Sequence, residues 1–149
     1  MANVTVDIKH DSLIKSLATK GDLFNYIFSL YNFAASYGYA KKRFIETKNQ
    51  RERVTDKIYE NAKADASIYA IALAHEKDML VLDDKDKCYK IYEGYANGGL
   101  EEIQKISDRL PSEDLFRTEI LNIITSQAQK NCPDVEVESN LKDISFVDD

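Results

Sequence analysis

Apolar residues along this chain recur mostly at spacings of three and four, the period of a helix that buries one face. The exception comes first. Val4, Val6 and Ile8 alternate weakly and predict a short strand or an extended arm. Asp11 or Ser12 then suits the N-cap of a short helix with Leu13, Ile14, Leu17 and Ala18 on its apolar face, closed by Gly21. Asp22 is placed to cap a longer one. Eleven of the fifteen residues from Leu23 to Tyr37 are apolar or aromatic, and the other four, Asn25, Ser29, Asn32 and Ser36, follow at intervals of four, three and four. They fall in one narrow uncharged stripe, so this helix is expected at the centre of the fold or completed by a second subunit. Gly38 is the expected terminator.

A basic loop follows, and the stretch from Val54 to Asn61 has no decisive period. Asp65 starts a helix carrying Ile68, Ile71, Ala72 and His75, and the run Met79-Leu80-Val81-Leu82 fits either a strand or a buried connector. Asp83 or Asp84 suits the cap of the next helix, whose buried face is Cys88, Ile91, Tyr92, Tyr95 and Ala96. Asn97-Gly98-Gly99 reads as a break, an elbow at which glycine lets helices pack closely. Leu100, Ile103, Ile106 and Leu110 carry another helix to Pro111. Ser112, Glu113 and Asp114 open the last, with Phe116, Ile120, Ile123 and Ile124 on its apolar face. The expected fold is all-α: a single compact bundle of five to six helices over residues 1–130, with or without one short N-terminal strand. An acidic C-terminal tail, mobile or loosely docked, is expected over residues 131–149.

Composition changes this picture little. A chain of 149 residues with 2 Pro, 5 Gly and 44% hydrophobic residues suits one ordinary domain of long regular elements. No leader-like apolar segment follows the first residues and no apolar run is long enough to cross a bilayer, so a cytoplasmic protein without a membrane partner is expected. Cys88 and Cys132 stand outside any metal-ligand or redox spacing and read as free thiols.

Charge adds more. The net charge is −6, yet the window Lys41–Arg53 holds Lys41, Lys42, Arg43, Lys48, Arg51 and Arg53 against Glu46 and Glu52. That window is +4, which leaves −10 for the rest of the chain. An acidic body argues against nonspecific coating of nucleic acid. The six clustered cations around Phe44, with Asn49 and Gln50 as amide donors, suit phosphates and a base edge or stacked base. A solvated loop balancing nearby acids accounts for the same residues.

Catalytic chemistry finds little support. His75 falls on an apolar face, His10 lies near a start expected to be flexible, and neither has a metal-ligand partner at the usual spacing. Asp83-Asp84-Lys85-Asp86-Lys87 resembles the carboxylates and lysine of a metal-dependent nuclease, but such sites need surrounding strands. A helix cap with a mixed-charge first turn explains it more simply. Gly98-Gly99 lacks the strand and lysine of a phosphate-binding loop. No catalytic residue, metal site or cofactor is expected.

Three blocks together carry a family resemblance: LFNYIFSLYNFAASYGYAKKRF from Leu23 to Phe44, ASIYAIALAHEKDMLVLDD from Ala66 to Asp84, and KIYEGYANGGLEEI from Lys90 to Ile103. With IYEN at Ile58–Asn61 between the first two, they resemble the dnd-system-associated protein 4 family. YANGGLE is the most distinctive segment. The resemblance implies a non-catalytic accessory of a bacterial DNA phosphorothioation system and its partner restriction system, which serve in phage defence. It implies other proteins of that system as partners. The expected function is therefore an accessory that contacts DNA through the basic loop. The alternative is a protein–protein adaptor, or a self-associating protein, without direct DNA contact, motivated by the apolar Leu23–Tyr37 helix and by Tyr89, Tyr92 and Tyr95 on one helix.

Overall fold

The computed structural model describes residues 3–19, 23–46 and 50–131. Gly21, Asp22, Lys48, Asn49, Cys132 and the acidic tail lie outside the described residues. The described residues form six α-helices and one small antiparallel sheet, the mostly helical fold that the apolar period predicts. The chain divides into two compact units, one ending at Arg109 and one beginning at Leu110.

In the first unit, strand β1 spans Asn3–Asp7, a 3-10 turn covers Ile8–His10, and helix α1 spans Asp11–Ile14 and runs on as a π-helical turn over Lys15–Thr19. Helix α2 spans Ile27–Ala40, strand β2 Gln50–Thr55, α3 Asp56–Asn61, α4 Ala66–Glu76 and α5 Lys85–Arg109, with a 3-10 turn at Met79–Asp83. The ambiguous stretch at Val54–Asn61 thus divides between the end of β2 and all of α3. Leu13, Ile14, Leu17 and Ala18 are buried as their spacing predicts.

The long helix α5 organises this unit, packing against α2, α4 and β1. Two sequence expectations are corrected here. Asn97-Gly98-Gly99 does not break the chain; α5 runs through it without interruption. Nor does Gly38 end its helix, since α2 continues to Ala40 and no described glycine has positive φ. Both errors have one cause. These glycines serve close packing of one segment on another, not reversal of the chain. A Cβ on Gly38 would overlap the Tyr95 carbonyl of α5, and one on Gly99 would overlap the Ala34 carbonyl of α2. The absence of side-chain bulk brings the two backbones together, at a helix-propensity cost of about 1 kcal/mol per glycine.

A third correction concerns the start of α2, which lies at Ile27 with Tyr26 in extended conformation before it. The helix is indeed largely buried, through Leu30, Tyr31, Ala34, Ala35, Tyr37 and Gly38, and α5 and α4 pack against it. Of its polar stripe, Asn32 accepts a 2.6 Å hydrogen bond from the Tyr92 hydroxyl. Tyr59 and Tyr92 bring their hydroxyls to 3.0 Å, and Tyr89 meets Tyr59 edge-on. The tyrosines at 89 and 92 are therefore core residues, almost without exposure.

The sheet is two-stranded, with β1 antiparallel to β2. Val4 pairs with Val54 and Thr5 with Glu52, so Arg53 is the extra residue of a β-bulge. The other edge of β1 is covered by α5. The Thr5 and Asp7 N–H groups, two residues apart and so on one side of the strand, donate to Glu93 Oε1 at 2.7 Å and to Asn97 Oδ1 at 3.4 Å. One helical turn and two strand residues have nearly the same rise, which makes the match possible. His10, read as near a flexible start, is in fact buried, because the turn after β1 folds back against α5. Burial lowers its pKa, and its ring meets the Asn97 side chain.

In the second unit, α6 spans Glu113–Asn131. Ser112 Oγ accepts the Leu115 N–H at 3.2 Å, and Glu113 and Asp114 occupy the first turn, the start the sequence predicts.

Candidate nucleic-acid interface

The six predicted cations do not form one loop. Lys41, Lys42 and Arg43 follow α2 directly; Lys48 lies outside the described residues; Arg51 and Arg53 belong, by their backbone, to β2. The first three stand on a segment of chain that α5 holds along its length.

The hold is built from consecutive groups of Lys41–Glu46. The chain leaves α2 through Lys42 at φ 56°, a left-handed turn, and the Arg43 N–H returns to the Gly38 carbonyl at 2.8 Å. The Arg43 carbonyl then lies against Gly98, where any Cβ would overlap it. Phe44 lays its ring on Gly94, where a side chain would collide with it. The Ile45 N–H donates to the Gly94 carbonyl at 3.0 Å, and the Ile45 carbonyl accepts from Asn97 Nδ2 at 3.4 Å. Glycines at 94 and 98 are one helical turn apart, so they make one flat face on α5 that an extended chain can follow. The distinctive segment Tyr95–Glu101 is thus the seat of the basic residues. The elbow that its glycines suggest in sequence gives no sign of this seat.

Around this seat the charges sort into two sets. Arg43 is drawn inward: its Nη2 meets Glu101 Oε1 at 3.2 Å and its Nε meets Glu102 Oε1 at 3.5 Å. Glu101 also holds Lys9 at 3.3 Å and Glu102 holds Lys105 at 3.1 Å. Burial alone would raise the Glu101 carboxyl, but the Lys9 and Arg43 cations outweigh it and hold its pKa below the ordinary value. Lys41 and Lys42 are exposed. Lys41 Nζ stands 5.6 Å from the centre of the Tyr37 ring. Lys41 and Tyr37 share a mixed-charge groove with Glu102, Lys105, Asp108 and Arg109, and the two α5 cations there are ones the sequence does not single out. No local signal marks them, since both sit among acids in the sequence.

Phe44 is locked from the other direction as well. It stacks on His75 at 5.6 Å and meets Tyr95 edge-on at 5.1 Å, while His75 Nδ1 is 2.6 Å from the Tyr95 hydroxyl. His75 is the satisfied rim histidine that its position on α4 predicts. The remaining catalytic candidates resolve as structure. Asp84 Oδ1 caps α5 by accepting the Lys87 N–H at 3.1 Å. Lys85 bridges buried Asp56 at 2.7 Å and Glu60 at 2.8 Å, and those two carboxylates hold its ammonium pKa high. Cys88 is buried with Sγ donating to the Val81 carbonyl at 3.1 Å, and burial raises its thiol, which disfavours the nucleophilic thiolate. Among the described residues no group of three His, Cys, Asp or Glu is placed to hold a metal ion.

The described residues thus form a mostly helical fold whose Lys41–Glu46 segment is clamped to a glycine face of α5. The model of the family described as DNA sulphur modification system-associated protein 4 matches residues 4–144, and the chain belongs to that family. The match extends on both sides beyond the Leu23–Ile103 region that carries the resemblance. No curated protein and no solved structure matches. The family is associated with a DNA sulphur modification system, and the chain is accordingly an accessory of such a system. Among the described residues no helix is long and apolar enough to cross a membrane.

Proposed function

We propose that this chain is a non-catalytic accessory of a cytoplasmic DNA phosphorothioation and restriction system, and that it contacts DNA through the basic segment and the start of β2. The supporting observation is the pinned Lys41–Glu46 segment, which presents Lys41 and Lys42 outward from a backbone that cannot retreat. Preorganised cations lose little freedom on meeting phosphates, so a small charge cluster can bind despite the acidic body. Lys48, Arg51 and Arg53 complete the set of six in this reading.

The test is fluorescence anisotropy with short duplexes, with and without a phosphorothioate linkage, at two salt concentrations. Saturable binding that weakens with salt, and weakens about tenfold or more in Lys41→Glu/Lys42→Glu, is the expected result. Affinity indifferent to both salt and charge reversal would overturn the reading.

One observation favours a second reading, an adaptor that docks on a larger subunit of the system or on a second copy. Met79 and Leu80, in the 3-10 turn before α5, are 73% and 72% exposed. The tyrosine argument for that reading weakens, since Tyr89 and Tyr92 are spent inside the core. Salt-insensitive capture of another protein of the system, lost in Leu80→Asp, would favour the adaptor.

A further inference from the structure

Phe44 belongs to a second feature that the basic segment does not use. It forms part of the wall of a cavity of about 310 Å³, at the lower end of the range of small-ligand sites. Phe44, Ile91 and Gly94 give this cavity an apolar wall; Lys87 and Lys90 give it cations; Glu46 and Glu93 give it carboxylates. Each component is positioned. The Phe44 ring touches Gly94, stacks on His75 and abuts Tyr95, yet stays 42% exposed, and that exposed part is what it offers to the cavity. Lys87 and Lys90 are three apart on α5 and therefore neighbours on one face, and Lys87 is steadied by Glu76 at 3.4 Å. One oxygen of Glu93 accepts the Thr5 N–H at 2.7 Å. Lys90 is near enough to Glu93 to act on its carboxyl.

A flat aromatic wall, paired cations and carboxylate acceptors in so small a space match the parts of one nucleotide. Aromatic rings stack bases of any identity. Carboxylates accept from the amino edges of bases. Lysines meet phosphate as point charges. A base inside a duplex cannot enter a cavity of this kind without leaving the stack. We propose that this cavity takes a single unstacked nucleotide, with the base against Phe44, an amino edge toward Glu46 or Glu93, and phosphate on Lys87 and Lys90. The inference rests on the reading that the chain contacts DNA, and it narrows the substrate to DNA carrying an unpaired or extruded nucleotide. A free mononucleotide offers the same chemistry.

The experiment uses the full chain and separates the two sources. Anisotropy is measured with a labelled duplex, fully paired or carrying one bulged nucleotide, and calorimetry with dAMP and dCMP. The bulged duplex is expected to bind about tenfold more tightly than the paired one. That preference should vanish in Phe44→Leu and in Lys90→Glu, and Lys90→Glu, which lies outside the clamped segment, should retain affinity for the paired duplex. Lys90 is exposed, so its variant carries the test if Phe44→Leu does not fold. Equal affinity for bulged and paired duplex, or a preference that survives both substitutions, overturns the cavity assignment and leaves the basic segment intact. Mononucleotide binding without DNA binding supports the cavity and overturns the DNA-contact reading. Binding of neither overturns both.

Discussion

A Cβ placed on Gly99 would overlap the backbone carbonyl of Ala34, and this contact determines how near α5 lies to α2. Local and tertiary physics make opposite predictions at this position. Alanine in place of a mid-helix glycine favours an isolated helix by about 1 kcal/mol. Overpacking a tight helix contact costs about 1–3 kcal/mol. Gly99→Ala is therefore expected to destabilise the protein by about 1 kcal/mol or more, read as a lower urea midpoint. A stabilised variant would mean that the helices do not meet here as described.

Tyr92 anchors the core through its hydroxyl, which donates to Asn32 at 2.6 Å and lies 3.0 Å from the Tyr59 hydroxyl. Tyr92→Phe keeps the ring and strands the Asn32 oxygen in a partly buried place. A loss of about 1–2 kcal/mol is expected, measured by chemical denaturation. Asn32→Leu in the same background should recover part of it, since removing both partners costs less than removing one.

His10 should make stability fall with acid. Burial lowers its pKa from the ordinary 6.5, with Lys9 acting in the same direction, and Asp7, Glu101 and Asn97 opposing. Unfolding therefore takes up a proton once the pH is below about 6.5, so this contribution is complete above that value and is lost toward the lower folded value. Glu93 acts in the opposite sense: burial raises its carboxyl, and its protonation below the folded value favours the folded chain. Melting temperatures between pH 7.5 and 5.5 should drop in the native protein and drop less in His10→Gln. Parallel profiles for the two would exclude His10 as the cause.

Glu101 and Glu102 hold the Arg43 guanidinium, and Glu102 also shares a groove with Lys41. Replacing both by glutamine keeps their shape and frees the guanidinium. On the DNA-contact reading, Glu101→Gln/Glu102→Gln should bind duplex several-fold more tightly at low salt and steepen the salt dependence by about one ion. Stability should change by about 1 kcal/mol or less, because these pairs are partly exposed. Unchanged affinity would place the DNA contact elsewhere.

The helical class, the cap at Ser112 and the buried faces of α1 and α4 were legible from the sequence, and for one reason. Apolar spacing and capping side chains act within a few residues, so they survive in a linear reading. The charge asymmetry of the Lys41–Arg53 window was legible because its six cations are neighbours in sequence. That Arg43 pairs with Glu101 and Glu102 while Lys41 and Lys42 stay exposed was not, since those acids lie more than fifty residues away. The glycines mark the boundary between the two kinds of knowledge. In sequence, Gly38, Gly98 and Gly99 signal an end or a bend, because glycine frees the backbone. In the folded chain they keep helical geometry, and what matters is the missing Cβ, which admits the carbonyls of Tyr95, Arg43 and Ala34. Only tertiary packing decides which property of glycine is used, because a steric vacancy has meaning only when another segment arrives to fill it.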